Sequence, residues 1–266
     1  MLELFSPAKI NLTLKVIGKE SSGYHQIETL MQAVSLGDSI RLSFRGSENL
    51  TCSSPNLLMD EGNLAVKALR LFQKKTGMRT PVSIHLEKNI PIEAGLGGGS
   101  GNAATVLWGM NVLAETNLPD SVLSEWASEI GSDIPFFFSH GTAHCRGRGE
   151  IVQPKPPCFS EECVIVKPPY GLSTKAVYQS FSKGSEQANT SYYNDLEKAA
   201  FSLSPELKSF RDTLAAQGFK QVLLCGSGSA LACFGEGRIQ LPEASIFTNI
   251  RGIQRKQGYW YPDENL

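Results

Sequence analysis

Between Pro91 and Thr105 the chain reads PIEAGLGGGSGNAAT, with five glycines in the seven positions from Gly95 to Gly101. Glycine loses more backbone freedom on folding than any other residue, so a run this dense belongs where side chains must be kept out. Val82 to Lys88 (VSIHLEK) precedes it with strand-like alternation, and Ala103 to Glu115 follows it with the composition of a helix. A strand that feeds a glycine loop and then a helix has three readings: a tight turn, a dinucleotide fingerprint, or a cradle for nucleotide phosphates. A turn needs one or two glycines, not five. Gly99-Ser100-Gly101-Asn102-Ala103-Ala104 fits G-x-G-x-x-A formally. After Glu115, however, come Leu118-Pro119-Asp120 and a second helical stripe (Val122, Leu123, Trp126, Ile130), where a Rossmann unit needs a strand ending in an acid. The chain contains no G-x-x-x-x-G-K-[ST]. A phosphate cradle fits the context: free backbone N–H groups converge at the positive end of a helix. Ser100 would add a hydroxyl, and Asn102 suits the helix cap.

The remaining segments read as a mixture of helices and strands. Ala8 to Val16 (AKINLTLKV) alternates, with Ala8, Ile10, Leu12, Leu14 and Val16 on one face and Lys9, Asn11, Thr13 and Lys15 on the other, as in a half-buried strand. Ser21-Ser22-Gly23 predicts a turn, and Gly37 to Phe44 a second strand. Asn63 to Lys75 and Asp120 to Ile130 predict helices. Gln153 to Pro157 (QPKPP) reads as a linker. Beyond it, CVIVKPP predicts a strand, Ser173 to Phe181 and Ser204 to Gln217 predict helices, and VLLCGSGSALACF predicts a strand, a glycine turn and a second strand or helix. Helices and strands intermix without strict alternation, which indicates an α+β fold in two lobes.

The chain of 266 residues carries 25 Lys and Arg against 26 Asp and Glu, a net charge of −1 that argues against nucleic-acid binding by bulk electrostatics. Its six cysteines have neither zinc-ligand spacing nor the framework of a small secreted domain, so reduced thiols are expected. His85, His140 and His144 show no metal spacing. The start, MLELFSPAK, is unlike a secretory signal, and no apolar run reaches the ~18 residues of a membrane span. A cytoplasmic protein is the expectation.

PAKINLTL, P-x-x-x-G-L-G-G-G-S and LLCGSGSALACF together resemble the three motifs of the GHMP small-molecule kinases. GYHQIETLMQ, GSDIPFF, RGRGE and the terminal Trp260-Tyr261 follow in the order of one branch. That branch phosphorylates the 2-hydroxyl of a methylerythritol bearing cytidine diphosphate, on the non-mevalonate route to isoprenoid precursors. The resemblance runs from Ser6 to Tyr261. It implies a two-lobed GHMP kinase fold with the active site in the cleft between lobes, residues 1–153 forming the N-terminal domain and 158–266 the C-terminal domain. ATP would be the phosphoryl donor, with Mg2+ bound mainly through ATP and no protein metal site. The second partner would be a small molecule carrying cytidine diphosphate, with no nucleic acid or membrane.

The resemblance also implies roles by position. Lys9 and Asp133 match the catalytic pair. Pro91, Gly95, Leu96, Gly97, Gly98, Gly99 and Ser100 would wrap the triphosphate, with Asn63, Leu64 and Lys88 near the adenosine. Asn63 is equally suited to cap a helix. Tyr24 would stack on the pyrimidine, His25 would hydrogen-bond its edge, and Tyr178 would oppose it, with Asn11 and Thr174 as polar contacts. Gly226-Ser227-Gly228-Ser229 would bring the C-terminal lobe against the site. The family commonly has a second serine where this chain has Gly101, so a hydroxyl contact to phosphate or magnesium is expected to be missing, and Gly101→Ser to improve nucleotide handling. Two rival functions remain: a GHMP kinase for another small alcohol, against which GYH and Tyr178 speak, and a nucleotide-binding module without catalysis, which would need neither Lys9 nor Asp133. A dehydrogenase is the least favoured, for want of the second strand. Lys183 to Asn194 carries no readable signal.

Overall fold

The computed structural model describes residues 1–21, 23–159, 161–182 and 192–262; Ser22 of the expected turn and 183–191 of the unreadable stretch lie outside them. Two long strands dominate the first half, β1 (Leu2–Lys19) and β2 (His25–Phe44), paired antiparallel along their whole length. β3 (Asn49–Cys52) follows, then helix α1 (Leu64–Thr76), β4 (Val82–Glu87), α2 (Gly98–Leu113) and α3 (Asp120–Ile130). A short 3-10 helix, Pro135–Phe138, leads to the hairpin of β5 (Thr142–Gly147) and β6 (Ile151–Pro154). The second half contains β7 (Cys163–Lys167), α4 (Thr174–Ser180), β8 (Tyr193–Asn194), α5 (Glu197–Leu203), α6 (Pro205–Ala216), β9 (Gln221–Leu224), β10 (Leu231–Phe234) and β11 (Ser245–Ile250).

These strands form two sheets. The first runs β3-β4-β2-β1-β8, and its β2 divides its free edge: Ser39 to Phe44 pair with β4, while Ile27 to Gln32 pair with β5, which carries β6. The second runs β11-β7-β10-β9, antiparallel throughout. Gln153 and Pro154 of the expected linker therefore belong to a paired strand, and the irregular chain begins only at Lys155. Pro154 is tolerated there because β6 is an edge strand, paired on one side only, by β5.

Helix α1 places Ala65, Ala68, Leu69 and Phe72 at three- and four-residue spacings and buries all four against the first sheet's core. In contrast, α2 is buried nearly all round from Gly101 to Met110, because it lies on β1 and β2 with α1 and α3 beside it. It is the central helix of the fold, and it begins within the glycines, five residues before the expected Ala103. β1 also departs from its half-buried reading. Both faces are covered from Leu4 to Leu12, so its polar residues Lys9 and Asn11 are enclosed. The chain finally returns to its beginning: Trp260 and Tyr261 join the core of the first sheet, and Trp260 Nε1 donates to the Phe5 carbonyl at 2.9 Å.

Candidate active site

A cleft of about 1170 Å³ opens between the units built on the two sheets, lined on one side by β1 and the glycine loop and on the other by α4 and the β9–β10 turn. Lys9, Asn11, Tyr24, His25, Asn63, Leu64, Lys88, Pro91, Gly95 to Ser100, Asp133, Thr174 and Tyr178 all face it. These residues meet at one place, although the chain distributes them over 170 positions, on the order of a whole domain.

The polar face of β1 supplies the centre. Lys9 Nζ donates to Asn11 Oδ1 at 2.7 Å and lies 3.4 Å from Asp133 Oδ2, with its side chain 5% exposed and that of Asp133 32% exposed. Asn11 Nδ2 donates to Thr29 Oγ1 at 2.8 Å, and Thr29 Oγ1 donates to the Thr13 carbonyl at 2.7 Å, so the acceptor that holds the ammonium is itself fixed. Asp133 sits in the turn between α3 and the 3-10 helix, whose Phe136 and Phe137 are fully buried and anchor it from one side. The pair offers a fixed cation beside a solvent-reachable carboxylate. Such a carboxylate can accept a proton from a hydroxyl, and the cation can offset developing negative charge.

The glycine loop wraps this centre. Gly97, at φ +68, caps α2 in the left-handed conformation, and a Cβ on it would meet Lys9 Cγ at 2.8 Å. The Lys9 N–H donates to the Leu96 carbonyl at 2.9 Å. Gly95, at φ +75, presses on the second glycine turn: a Cβ there would lie 1.9 Å from the Cys225 carbonyl oxygen. Ser229 N donates to the Glu93 carbonyl at 3.3 Å and Ala230 N to that of Ala94 at 3.1 Å, so the two turns are joined by backbone hydrogen bonds. Gly226-Ser227-Gly228-Ser229 therefore links β9 to β10, a strand, and brings the second sheet to the site.

Two sequence expectations about this helix fail. Asn102 does not cap α2. It lies inside the helix, buried, with Nδ2 donating to Ser6 Oγ at 2.9 Å and Asp38 Oδ2 at 2.8 Å. Gly101 is not among the residues that face the cleft. A Cβ there would lie 2.6 Å from the Pro7 carbonyl oxygen, so the residue is glycine because helix and strand touch. A serine would have to push α2 off β1 before its hydroxyl could reach anything, and the expected gain from Gly101→Ser is withdrawn.

Asn63 both caps α1, accepting from Ala65 N at 3.0 Å, and lines the cleft. Lys88 bonds to Asp38 and the Ile90 carbonyl; burial lowers its pKa, and the Asp38 carboxylate opposes that shift. Across the cleft, His25 stands 5.4 Å from Tyr178 ring to ring and 6.0 Å from Phe181. Burial, helped by the positive charge of Lys19, lowers the pKa of His25 below the ordinary histidine value. Tyr178 has its pKa raised by burial and then by the Asp133 charge, so its hydroxyl stays protonated. Thr174 Oγ1 is 2.8 Å from Ser227 Oγ.

Sequence reasoning passed over Arg148, whose guanidinium lies 5.2 Å over the Tyr24 ring. The signal was present in RGRGE, where glycines flank an arginine in a hairpin turn. Asp38, fully buried beneath the glycine loop, was also passed over. An aspartate in an alternating strand segment looks like a solvated position.

Residues 63–141 match the family described as GHMP kinases N terminal domain. The 4-diphosphocytidyl-2-C-methyl-D-erythritol kinase of Protochlamydia amoebophila is 48% identical over 269 residues, spanning 98% of this chain and 93% of that one. The chain belongs to the 4-diphosphocytidyl-2-C-methyl-D-erythritol kinase family. It is a kinase, of the GHMP fold. The chloroplastic relative from Arabidopsis thaliana is 42% identical over 88% of this chain and 67% of its own length. A crystal structure titled 4-(cytidine 5'-diphospho)-2C-methyl-D-erythritol kinase superposes with a TM-score of 0.79 at 32% identity, over 94% of this kinase and 99% of that chain. A homoserine kinase from Cytophaga hutchinsonii, with TM-score 0.72 and 15% identity, shares the fold alone. Among the described residues no helix of the kinase is long and apolar enough to cross a membrane.

Proposed function

We propose that this kinase transfers the γ-phosphoryl group of ATP to the 2-hydroxyl of 4-diphosphocytidyl-2-C-methyl-D-erythritol, in the cytoplasm, as a step of isoprenoid precursor synthesis. One bond forms between the substrate oxygen and γ-phosphorus, the bond to the leaving ADP oxygen breaks, and the hydroxyl proton passes to Asp133. Lys9 orients that carboxylate and offsets charge on the transferred group. Little covalent work falls to the protein in such a transfer, so position and fixed charge carry the catalysis. The observation behind this reading is the Lys9–Asp133 pair at 3.4 Å, with the lysine stem against Gly97 of the glycine loop.

In the same reading Pro91 and Gly95 to Ser100 surround the triphosphate, and Asn63, Leu64 and Lys88 border the adenosine. Tyr24, His25 and Tyr178 take the pyrimidine, and Asn11 and Thr174 meet the substrate's polar groups. Among the described residues no group of three or more His, Cys, Asp or Glu side chains is placed to hold a metal ion. Magnesium, in this reading, would be carried mainly by the nucleotide phosphates, where it would offset their charge. The division at residues 1–153 and 158–266 is proposed along the two sheets, with β8 and residues 251–261 of the second part joining the first sheet and its core.

Phosphorus NMR of the protein with ATP, magnesium and the cytidine-diphosphate substrate tests the reading, with Asp133→Asn in parallel. A new phosphomonoester signal is expected, formed about 10²–10⁴-fold more slowly by the variant. ATP binding without that signal in the wild type would overturn the substrate assignment and call for other alcohols. An active Asp133→Asn would overturn the role of the carboxylate.

A further inference from the structure

Beneath the glycine loop lies a carboxylate that never reaches the cleft. Asp38, on β2, is 0% exposed and gathers donors from three directions. Its Oδ1 accepts from Asn89 N and Ile90 N, both at 2.7 Å, and from Lys88 Nζ at 3.1 Å. Its Oδ2 accepts from Asn102 Nδ2 at 2.8 Å and lies 3.0 Å from Lys88 Nζ. Asn89 and Ile90 are the last residues before Pro91, where the loop begins, and Asn102 lies on α2 just after the glycines. One buried group therefore holds both ends of the loop to the sheet.

Such a carboxylate is costly to bury unless every lone pair is used and its charge is matched. Both conditions are met here, by two backbone N–H groups, an amide and an ammonium. Lys88 and Asn102 themselves line the cleft, so Asp38 is one contact away from whatever the loop binds. The glycines between supply no side chains that could fix their own path. Their geometry depends on how the two ends are held, and an error of an ångström is enough to spoil convergent N–H donors.

We propose that Asp38 is a positioning residue for the nucleotide, setting the path of the glycine loop by tying residues 88–90 to Asn102. The proposal rests on the reading of this cleft as an ATP site. It assigns Asp38 to the grip on the triphosphate and not to the transfer step, because Lys9 and Asp133 hang from β1 and the turn before the 3-10 helix, outside this cluster.

Asp38→Asn tests it. The new amide keeps an oxygen for Asn89 and Ile90 but turns an NH2 toward Asn102 and Lys88, donor against donors. The expected result is a KM for ATP raised about tenfold or more, with kcat within threefold and the KM of the cytidine-diphosphate substrate within twofold. Adding Asn102→Asp restores an acceptor opposite the new amide and a negative charge to the cluster with Lys88, and it is expected to recover most of the ATP affinity. Asn102→Ala, which removes one donor and no charge, gives a milder variant should Asp38→Asn fail to fold; about a threefold rise in the KM for ATP is expected. Calorimetric binding of ATP to the folded variants reads the same quantity without turnover. Wild-type ATP affinity in Asp38→Asn, or in Asn102→Ala where the former does not fold, would overturn the proposal. So would an equal rise in both KM values, or a double variant no better than the single. If wild type bound no ATP, the reading of the cleft would fall, and this proposal with it; if wild type bound ATP and only the variants behaved otherwise than expected, the proposal alone would fall.

Discussion

The two ends of the cleft are held by different means. At the glycine loop, backbone presses on backbone: Gly95 on Cys225, Gly101 on Pro7, with Asp38 buried below. At the other end the walls are side chains on short elements. Tyr24 is 58% exposed, in the link between β1 and β2, and Arg148, over its face, comes from a hairpin turn. Tyr178 rides on the seven-residue helix α4. These close approaches leave the first end no room for side chains, which under the proposed function would suit a triphosphate presented in line. Under the proposed function the second would meet a flat base by stacking, which tolerates displacement where convergent hydrogen bonds do not.

This contrast can be broken most severely at Gly95. A Cβ there would lie 1.9 Å from the Cys225 oxygen at φ +75, so Gly95→Ala must separate the two glycine turns. We expect a loss of about 2–4 kcal/mol in stability from the clash and the strained backbone. Turnover should fall by about two orders of magnitude, since the misplaced loop is next to the reacting groups. Calorimetric melting and steady-state rates check both. A variant with the wild-type melting temperature would mean that this end does have room for a side chain.

Tyr24→Ala is the counterpart, with a smaller effect and a different pattern. An exposed ring contributes little to folding, so the melting temperature should stay within about 1 °C of wild type. Loss of one stacking face, at about 0.5–1.5 kcal/mol, should raise the KM for the cytidine-diphosphate substrate roughly 2–12-fold and leave that for ATP unchanged. Equal changes in both constants would show that the two ends are not independent.

The same contrast governs what could be read in advance. The glycine-loop end is written in local sequence, because only glycine satisfies the close approaches and the consecutive positions form one loop. The strand, loop and helix around it followed directly. What escaped were features set by distant partners. Asn102 looked like a helix cap because its amide suits that role, but α2 starts earlier and the amide is claimed by Ser6 and Asp38, 96 and 64 positions away. Gly101 looked like a missing hydroxyl until Pro7 was placed against it. β1 looked half-buried because Lys9 and Asn11 are polar; in the fold their face is covered by the walls of the cleft. The strands β3, β5, β6, β8 and β11, and helix α5, were missed as well. Most are short edge or hairpin elements of two to six residues whose pairing partners, not their own pattern, define them. At the other end, motif resemblance singled out Tyr24, His25 and Tyr178, which do line the cleft, whereas Arg148 across the Tyr24 ring was signalled only by the glycines around it in RGRGE.

The smallest expected effect lies in the pH response of the second end, at His25. Burial first, and the Lys19 charge second, disfavour its cationic form, so its pKa in the folded kinase is below the usual 6.5. At neutral pH the ring is therefore uncharged, with one nitrogen donating and the other accepting, as the polar edge of cytosine requires. The sign of the linkage follows: between the two pKa values the unfolded chain binds more protons, so the stability from neutral His25 is present above the unfolded value and declines as pH falls through the folded one. Protonation also turns the accepting nitrogen into a donor. Affinity for cytidine diphosphate should thus be flat above pH 6.5 and weaken below it, by about threefold for one lost hydrogen bond. His25→Gln keeps a donor and an acceptor without titrating, and should flatten the profile. Lys19→Met removes one cause of the depression and should move the fall to higher pH. Calorimetric titration with cytidine diphosphate at several pH values measures all three. A profile unchanged in His25→Gln would assign the pH response to another group and leave the pyrimidine edge to be met elsewhere in the cleft, with Arg148, already over the Tyr24 ring, the next side chain to test.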